Sequence, residues 1–239
     1  MRLKISIVIP ILNEVKTIRS IVDHLISFCD KPAHIKEIII VDGGSVDESV
    51  LIVNKLAKEN TAIPIRLHSS KKGRARQLNA GASIAKGDIL YFLHADSFPP
   101  KGYDQCIIDE VIKGNDAGCF RMKFDSDHWW LRFLGWLTKF KSKRCRGGDQ
   151  SQYITTSLFK AIDGYDESFV VYEDNDLVDR LFAIDQFTII PKDIVTSARR
   201  YEEVGVWRLQ YHFLNIHMRR WMGASSENLY RYYKDKVAN

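Results

Sequence analysis

Residues 5–26, with the sequence ISIVIPILNEVKTIRSIVDHLI, decide the fold class. The apolar run over 5–9 is short and ends at Pro10, which is typical of a buried strand in a parallel sheet. A set of apolar residues then recurs at helical spacing: Ile18, Ile21, Val22, Leu25 and Ile26. A buried strand that leads directly into an amphipathic helix predicts the first half of a βαβ unit.

The same alternation continues through the first hundred residues. The next predicted elements are strands over 37–42, 63–68 and 89–93 and a helix over 74–85. After the second strand, Ser45 and Glu48 form an S-x-x-E pattern that predicts a capped helix with Val46 and Val53 on its apolar face. Alternation of this length predicts an α/β protein with a Rossmann-like, mostly parallel sheet flanked by helices.

The pattern changes after Asp96, where Pro99-Pro100 interrupts the chain. The remaining predicted elements are helices over 103–113, 128–140, 156–162 and 175–183, strands over 117–124 and 187–190, and a helical tail over 206–233. No repeat or low-complexity linker separates these elements. We therefore expect one domain over 1–200, with a C-terminal helical extension over 201–239 packed on it.

The composition restricts the class of protein. The chain has 239 residues, of which 45% are hydrophobic, and this excludes wholesale disorder. Its formal net charge of +5 suits anionic small molecules or an acidic membrane face and is too small to indicate a nucleic-acid partner. The four cysteines form no CxxC pair, which favours reduced thiols and excludes a zinc ribbon.

We expect a cytoplasmic protein, with one segment that suggests peripheral contact with the inner face of a membrane. The N-terminus lacks a signal-peptide pattern, and no apolar run reaches the roughly 18–20 residues that span a bilayer. Segment 128–146 combines six Lys or Arg with five aromatic rings and no acidic residue, which is typical of an interfacial helix. A core helix with Trp130 and Phe133 facing inward fits the segment equally well.

Polar residues follow three of the predicted parallel strands. They are Asn13 and Glu14 after the first strand, Asp42, Gly43 and Gly44 after the second, and His94 and Asp96 after the fourth. Ligands of open α/β sheets bind beyond the carboxyl ends of the strands, so these residues are candidates for a site. Asp42 can accept hydrogen bonds from a base or ribose, and it can equally cap the helix that follows.

His94 and Asp96 are the candidate metal ligands. In an extended chain, residues two apart face the same way, so both side chains can point at one ion. Mg²⁺ takes one or two carboxylates together with substrate phosphates, and an imidazole suits Mn²⁺ as well. The alternative interpretation is a surface Asp that begins the turn before Pro99-Pro100.

Two basic groups are candidates for binding phosphate. Lys71, Lys72, Arg74 and Arg76 surround the start of a predicted helix, and Arg199 and Arg200 follow the segment VTSA over 195–198. Helix N-termini attract phosphate, and guanidinium groups match it with two parallel hydrogen bonds. Solvated surface cations are the alternative for both groups.

Two acidic groups complete the candidates. Glu173 and Asp174 precede a predicted helix, where a carboxylate in a cleft can accept a proton from an attacking hydroxyl, or merely favour the helix N-terminus. Asp149, within Gly148-Asp149-Gln150, can bind a sugar hydroxyl or terminate a turn.

In this order, the motifs resemble those of the family 2 glycosyltransferases with the GT-A fold. The matching segments are SIVIP with Asn13-Glu14, VDGGS over 41–45, NAG over 79–81, FLHAD over 92–96 and Glu173-Asp174. Further segments, GRARQ over 73–77, GDQ over 148–150 and TSARR over 196–200, resemble a bacterial subgroup associated with radical-SAM/selenodomain proteins. The resemblance covers about residues 1 to 200.

The resemblance implies a nucleotide-binding half over 1–97 and an acceptor half over 98–200. Pro10, Asn13, Glu14, Asp42, Gly43 and Gly44 would hold the base and ribose of a UDP- or GDP-linked sugar. Asp96 would bind Mg²⁺ or Mn²⁺ on the donor diphosphate, with His94 in place of the first Asp of a DxD motif. Asp174 would be the catalytic base, beside Glu173.

The implied reaction is inverting transfer of the sugar to an acceptor hydroxyl, which can belong to a lipid or to a soluble molecule. Met218-Arg219-Arg220-Trp221 lacks the Gln of the QxxRW motif of processive synthases, so we expect a non-processive enzyme. A sugar nucleotidyltransferase and a non-catalytic nucleotide-sugar-binding or membrane-associated protein are the alternatives. A dinucleotide oxidoreductase and a P-loop NTPase are disfavoured because GxGxxG and GxxxxGK[ST] are absent.

Overall fold

The computed structural model of the protein describes residues 3–146 and 150–237. Its strands are β1 (Ile5–Ile11), β2 (Ile35–Asp42), β3 (Ile65–Ser69), β4 (Ile89–Phe92), β5 (Ser97–Phe98), β6 (Ala117–Phe124), β7 (Gln152–Thr155) and β8 (Thr188–Thr196). Within the described ranges these strands form one sheet in the order β3-β2-β1-β4-β7-β6-β8-β5.

Helices cover both faces of this sheet. They are α1 (Ile18–Phe28), α2 (Ser49–Glu59), α3 (Arg74–Ile84), α4 (Tyr103–Ile112), α5 (Trp129–Leu137), α6 (Thr156–Ala161), α7 (Glu173–Ala183), α8 (Arg199–Val204), α9 (Val206–Trp221) and α10 (Ser226–Lys236). No described helix is both long enough and apolar enough to cross a membrane.

The first half of the chain is the parallel sheet that the sequence predicts. Strand β1 pairs in parallel with β2 and with β4, and β2 pairs in parallel with β3. The adjacent residues Ile7 and Val8 are both fully buried, in separate core clusters on opposite faces of the sheet. A strand that is buried on both faces explains the continuous apolar run over 5–9. The predicted α/β class is confirmed.

The second half of the chain extends the sheet through antiparallel pairing. Strand β7 pairs antiparallel with both β4 and β6, and β8 continues parallel to β6. The sequence analysis did not predict β5 or β7, which have only two and four residues. It also ended the last strand at Ile190, whereas β8 continues to Thr196 through the exposed residues Pro191 to Asp193. Short or exposed strands lack the apolar signal on which the prediction relied.

The predicted capping box at Ser45 and Glu48 is wrong. Helix α2 begins only at Ser49, and Val46 lies in an exposed loop rather than on the apolar face of a helix. The carboxylate of Asp42 accepts hydrogen bonds from the backbone N–H groups of Gly44 and Ser45, at 3.0 to 3.2 Å. These bonds hold the chain in a turn, and the helix starts three residues later than the sequence pattern indicates.

Gly81 allows α3 to approach the sheet closely. A Cβ atom at this position would lie 2.4 Å from Val8 Cγ1 and 3.0 Å from Val41 Cγ2, on the two central strands β1 and β2. Only a residue without a side chain fits there. The position of α3 matters for function because its first turn carries Arg74 and Arg76.

The three C-terminal helices pack on the far end of the sheet. Leu209 of α9 and Tyr201 of α8 share a core cluster with Met122 and Phe124 of β6 and Leu131 of α5. A second small cluster joins Phe169, Ile216 and Leu229. The C-terminal helices therefore share buried apolar surface with the second half of the sheet.

We predict that Gly81→Ala destabilises the protein by about 1–3 kcal/mol, although alanine is the better helix former. The added methyl group must displace Val8 or Val41 in a core that has no space for it. Urea denaturation measures the change in the free energy of unfolding. Ser83→Ala, on the exposed side of the same helix, should stay within about 0.5 kcal/mol of the wild type. A more stable Gly81→Ala protein would contradict the close packing.

Candidate active site

A cavity of about 620 Å³ opens at the carboxyl ends of β1 and β4. Its walls are the loop after β1, the first turn of α3, the segment His94 to Asp96, the start of α8, and the inner faces of α9 and α10. This volume is typical of sites for small molecules and cofactors. The parallel sheet places the cavity where α/β proteins bind their ligands.

Five basic side chains line this cavity. They are Lys72, Arg74, Arg76, Arg199 and Arg200. Arg199 and Arg200 reach the cavity because β5 pairs with β8. This pairing places Ser97 opposite Thr196. The buried hydroxyls of these two residues lie 3.0 Å apart, and the Ser197 N–H donates to the carbonyl oxygen of Asp96. The structure thus brings together the two basic groups that the sequence analysis singled out separately.

Glu173 and Asp174 form a buried acidic pair at the N-terminus of α7. Each residue is only 4% exposed. Arg74 Nη1 lies 3.4 Å from Glu173 Oε1 and 3.4 Å from Asp174 Oδ2, and His94 Nε2 lies 3.8 Å from Asp174 Oδ2. Arg74 and His94 both line the cavity, and Asp174 lies directly behind them. The guanidinium of Arg74 and the positive end of the α7 dipole both lie beside these two acidic side chains.

A chain of buried hydrogen bonds supports the first turn of α7. The Tyr165 hydroxyl donates to Gln152 Oε1, and Gln152 Nε2 donates to the backbone carbonyl of Asp174. Burial, and next the charges of Asp174 and Glu173, raise the pKa of Tyr165 well above its ordinary value. Tyr165 therefore stays protonated and remains a donor at any physiological pH.

The predicted base- and ribose-binding residues lie around the loop after β2. Pro10 and Glu14 line the cavity. Asn13 has a left-handed backbone with φ of 59°, and its side chain accepts from the Val46 N–H while its own N–H donates to the Ser45 hydroxyl. Asp42 is buried beneath this loop, where it binds the loop amides instead of capping α2. The role of Asp42, Gly43 and Gly44 in binding a ligand stays a prediction.

Gln77 is a residue that the sequence analysis missed. Its buried side-chain amide donates 2.8 Å hydrogen bonds to the carbonyls of Ile11 and Val41, at the carboxyl ends of β1 and β2. A Cβ atom on Gly43 would lie 2.9 Å from the Gln77 side chain, so this glycine leaves room for the amide. A polar residue on the buried face of a helix was the available signal.

The predicted sugar-binding loop is only partly described. Gly148 and Asp149 lie outside the described residues, and Gln150 is buried. Gln150 Oε1 accepts from Arg146 Nη1 at 3.3 Å and from the Cys119 thiol at 3.5 Å. Gln150 borders a small recess behind the cavity, together with His94, Gln152 and Asp174.

The candidate metal ligands fit a divalent cation that shares its coordination with a substrate. His94 and Asp96 both line the cavity that the basic residues also line. Within residues 3–146 and 150–237, three metal-ligating side chains nowhere come together. One carboxylate and one imidazole match the donor set with which Mg²⁺ or Mn²⁺ binds diphosphate substrates.

The family model described as glycosyl transferase family 2 matches residues 6–163. The chain belongs to this family, and its architecture is the GT-A fold. The match begins in β1 and ends beyond α6, so it includes most of the buried residues on the two faces of the sheet and the cavity residues from Pro10 to Asp96.

Curated relatives cover the same part of the chain. Undecaprenyl-phosphate 4-deoxy-4-formamido-L-arabinose transferases of Aeromonas hydrophila and Edwardsiella ictaluri are 26% and 27% identical over 150 residues, which is 62% of this chain. The matched region is 46% of each relative, so the chain spans about half the length of the curated proteins it matches.

Solved structures share the fold. The mannosyltransferase PcManGT from Pyrobaculum calidifontis, in complex with GDP-Man and Mn²⁺, is 17% identical with a TM-score of 0.68, covering all of this chain and 69% of its own. TarS from S. aureus is 16% identical with a TM-score of 0.66, covering 86% of this chain and 38% of its own. The comparisons support the family and leave the narrower radical-SAM/selenodomain resemblance unsupported.

We predict that Gln77→Leu lowers the free energy of unfolding by about 2–4 kcal/mol, because two buried carbonyls lose their donor. Chemical denaturation measures this loss. Arg76→Leu, one residue earlier on a half-exposed side chain of the same helix, is the control and should change stability little. Equal stability of the Gln77→Leu protein and the wild type would contradict the bridging role.

Proposed function

We propose that the protein transfers a sugar from a nucleotide-diphosphate sugar to an acceptor hydroxyl. The observation that carries this proposal is the cavity itself, where Asp96 and five basic side chains share one space, with a buried acidic pair directly behind the lining residue Arg74. Family membership supports it. Solved structures with the same fold hold UDP, UDP-GlcNAc or GDP-Man.

In this proposal the nucleotide lies over the loops after β1 and β2. Pro10, Asn13, Glu14, Asp42, Gly43 and Gly44 hold the base and ribose. Arg74 and Arg76, at the N-terminus of α3, bind the diphosphate together with Arg199 and Arg200. Gly148, Asp149 and Gln150 bind the sugar in this proposal.

Asp96, with His94 beside it, would hold Mg²⁺ or Mn²⁺ on the donor diphosphate. When bound, such an ion stabilises the negative charge that develops on the leaving nucleoside diphosphate. Arg74 contributes to the same charge stabilisation from the protein side. Its side chain is 40% exposed and its two carboxylate contacts are long, so it can turn toward a diphosphate.

Asp174 acts as the general base for an inverting displacement. It accepts the proton of the acceptor hydroxyl while that oxygen attacks the anomeric carbon and the nucleoside diphosphate leaves. Glu173 shares the Arg74 contact and positions the guanidinium. Transfer of a single sugar is expected, in line with the absent QxxRW glutamine.

The acceptor end of the cavity is apolar. Phe169, Val170, Leu209, Phe213 and Tyr230 line it. Apolar walls beside a polar donor site fit an acceptor whose hydroxyl is attached to a hydrocarbon portion, as in a lipid. The names of the curated relatives include undecaprenyl phosphate, a lipid in which a phosphate group is attached to the hydrocarbon.

We predict that the matching nucleotide stabilises the protein against heat. UDP, GDP, UDP-GlcNAc and GDP-Man are tested separately, each with Mn²⁺, with Mg²⁺ or with a chelator. At about a hundred times its dissociation constant a ligand adds ~2.7 kcal/mol, which raises the Tm by roughly 5–10 °C for a chain of this size. A metal-dependent shift with one nucleotide identifies the base, and no shift with any of them would contradict the donor site.

We predict that Asp174→Asn retains the donor-induced Tm shift and loses transfer by about 10²–10⁴-fold, the usual contribution of a general base. Release of UDP or GDP in the presence of acceptor measures transfer. Asp176→Asn, on the same helix turn, is the matched control and should keep most of the activity. Normal turnover by Asp174→Asn would remove this residue from the role, and release of pyrophosphate would instead indicate a nucleotidyltransferase.

We predict that Asp96→Asn removes the metal-dependent part of donor binding and leaves the metal-independent part. The donor-induced Tm shift is measured with Mn²⁺ and with a chelator, and the difference between the two shifts reports the metal-dependent part of donor binding. If this difference is the same in Asp96→Asn as in the wild type, Asp96 does not bind the metal.

A further inference from the structure

Two helices carry large apolar side chains that point away from the core. We define the aromatic surface as the following nine residues, which are 41% to 87% exposed: Trp129, Phe133, Trp136, Phe140, Trp207, Tyr211, Leu214, Met218 and Trp221. The first four lie on α5 and just after it, and the other five lie on α9. Exposed apolar residues in such continuous runs mark an interaction site on a protein surface.

Helix α9 is apolar on two opposite faces. Its inner face packs Leu209, Phe213 and Ile216 into the protein, and the first two of these also line the cavity. Its outer face repeats apolar residues at steps of four and three, from Trp207 to Trp221. A helix with a second apolar stripe is one that contacts an apolar environment on both sides.

Ring contacts join the outer faces of the two helices. The ring of Trp207 lies 5.8 Å from that of Trp129 and 5.3 Å from that of Trp130. Along α5, Phe133 and Trp136 are 5.9 Å apart, and Trp136 and Phe140 are 5.0 Å apart. The two stripes therefore form one continuous surface.

The positive charge of the protein is concentrated in these two segments. Segments 128–146 and 206–222 contain nine Lys and Arg and no Asp or Glu. The whole chain has 35 basic and 30 acidic residues, so the rest of the chain has 26 basic and 30 acidic residues. Lys139 Nζ lies 4.0 Å from the ring centroid of Trp136, which places a cation directly on the aromatic surface.

We propose that the aromatic surface docks on a membrane that contains anionic lipids. Trp, Phe and Tyr rings prefer the interface between headgroups and acyl chains, and the surrounding cations meet the lipid phosphates. Charge disfavours a second copy of this chain as the occupant, because a symmetric contact would bring the exposed cations of the two acid-free segments of each copy together. The opposite face of the docked helix α9 lines the cavity, so docking places the cavity about one helix diameter, ~10 Å, from the lipid.

The test is cosedimentation of the full chain with vesicles of phosphatidylcholine alone or mixed with phosphatidylglycerol. We expect binding to the anionic vesicles at low salt, with much weaker binding at high salt or on neutral vesicles. The double variant Trp136→Ser/Trp221→Ser should reduce partitioning about a hundredfold, roughly tenfold for each buried ring. Lys139→Gln should reduce it about fivefold.

Leu51→Ser is the matched control, because Leu51 is 56% exposed on α2, outside the aromatic surface. All variants should keep the Tm of the wild type and its donor-induced Tm shift. The Tm and the donor-induced Tm shift separate membrane docking from donor binding. The docking proposal does not require donor binding. Absent binding to anionic vesicles at low salt, or equal partitioning of the double variant and the control, would overturn the proposal. The proposal would also be overturned if the wild type does not bind vesicles but forms a dimer, and the double variant is monomeric. That result would assign the aromatic surface to contact with a second copy of the chain.

Discussion

Parallel pairing of β1 with both β2 and β4 is the constraint on which the rest of the structure depends. It brings the carboxyl ends of these strands to one edge, and the loops that follow them form the floor of the cavity. Gln77 stabilises this edge by donating to the carbonyls of Ile11 and Val41 near the ends of β1 and β2, and Gly81 lets its helix lie close enough to do so. The arginines that line the cavity, Arg74 and Arg76, lie on the same helix, α3.

Burial of the acidic pair, Glu173 and Asp174, carries the largest cost of desolvation in the site. Two carboxylates that are almost completely removed from water lose hydration, and this loss must be offset by cations and by hydrogen bonds. Arg74 and the N-terminus of α7 supply the compensation, while Tyr165 and Gln152 hold the helix turn from behind. Arg74 also lines the cavity. Under the proposed function, a diphosphate and the acidic pair would compete for this one guanidinium, which would couple donor binding to the proposed base.

The regular elements of the first half were predictable because their signals are local. Apolar runs and helical spacing located β1, β2, β4 and α3 to within two residues or less. The predictions that were wrong or missing concern β7 and the start of α2. Both depend on contacts that are distant in sequence or specific to one loop. Strand β7 exists because β4 and β6 lie on either side of it, and the start of α2 is delayed by Asp42, which binds the loop amides that helix formation would otherwise use.

The sequence alone is enough to predict the α/β class. It also shows the acidic residues and glycines that follow the strands and the concentration of cations in two acid-free segments. Which of these residues contact one another depends on the tertiary structure. Arg74 and Asp174 are a hundred residues apart, and they come together because α3 and α7 pack on the same face of the sheet. Arg199 and Arg200 reach the cavity through the pairing of β5 with β8, and the two aromatic stripes join through Trp207. Residue types and their local spacing can be read from the sequence. The contacts between these distant residues depend on long-range strand pairing and helix packing, which local patterns do not specify.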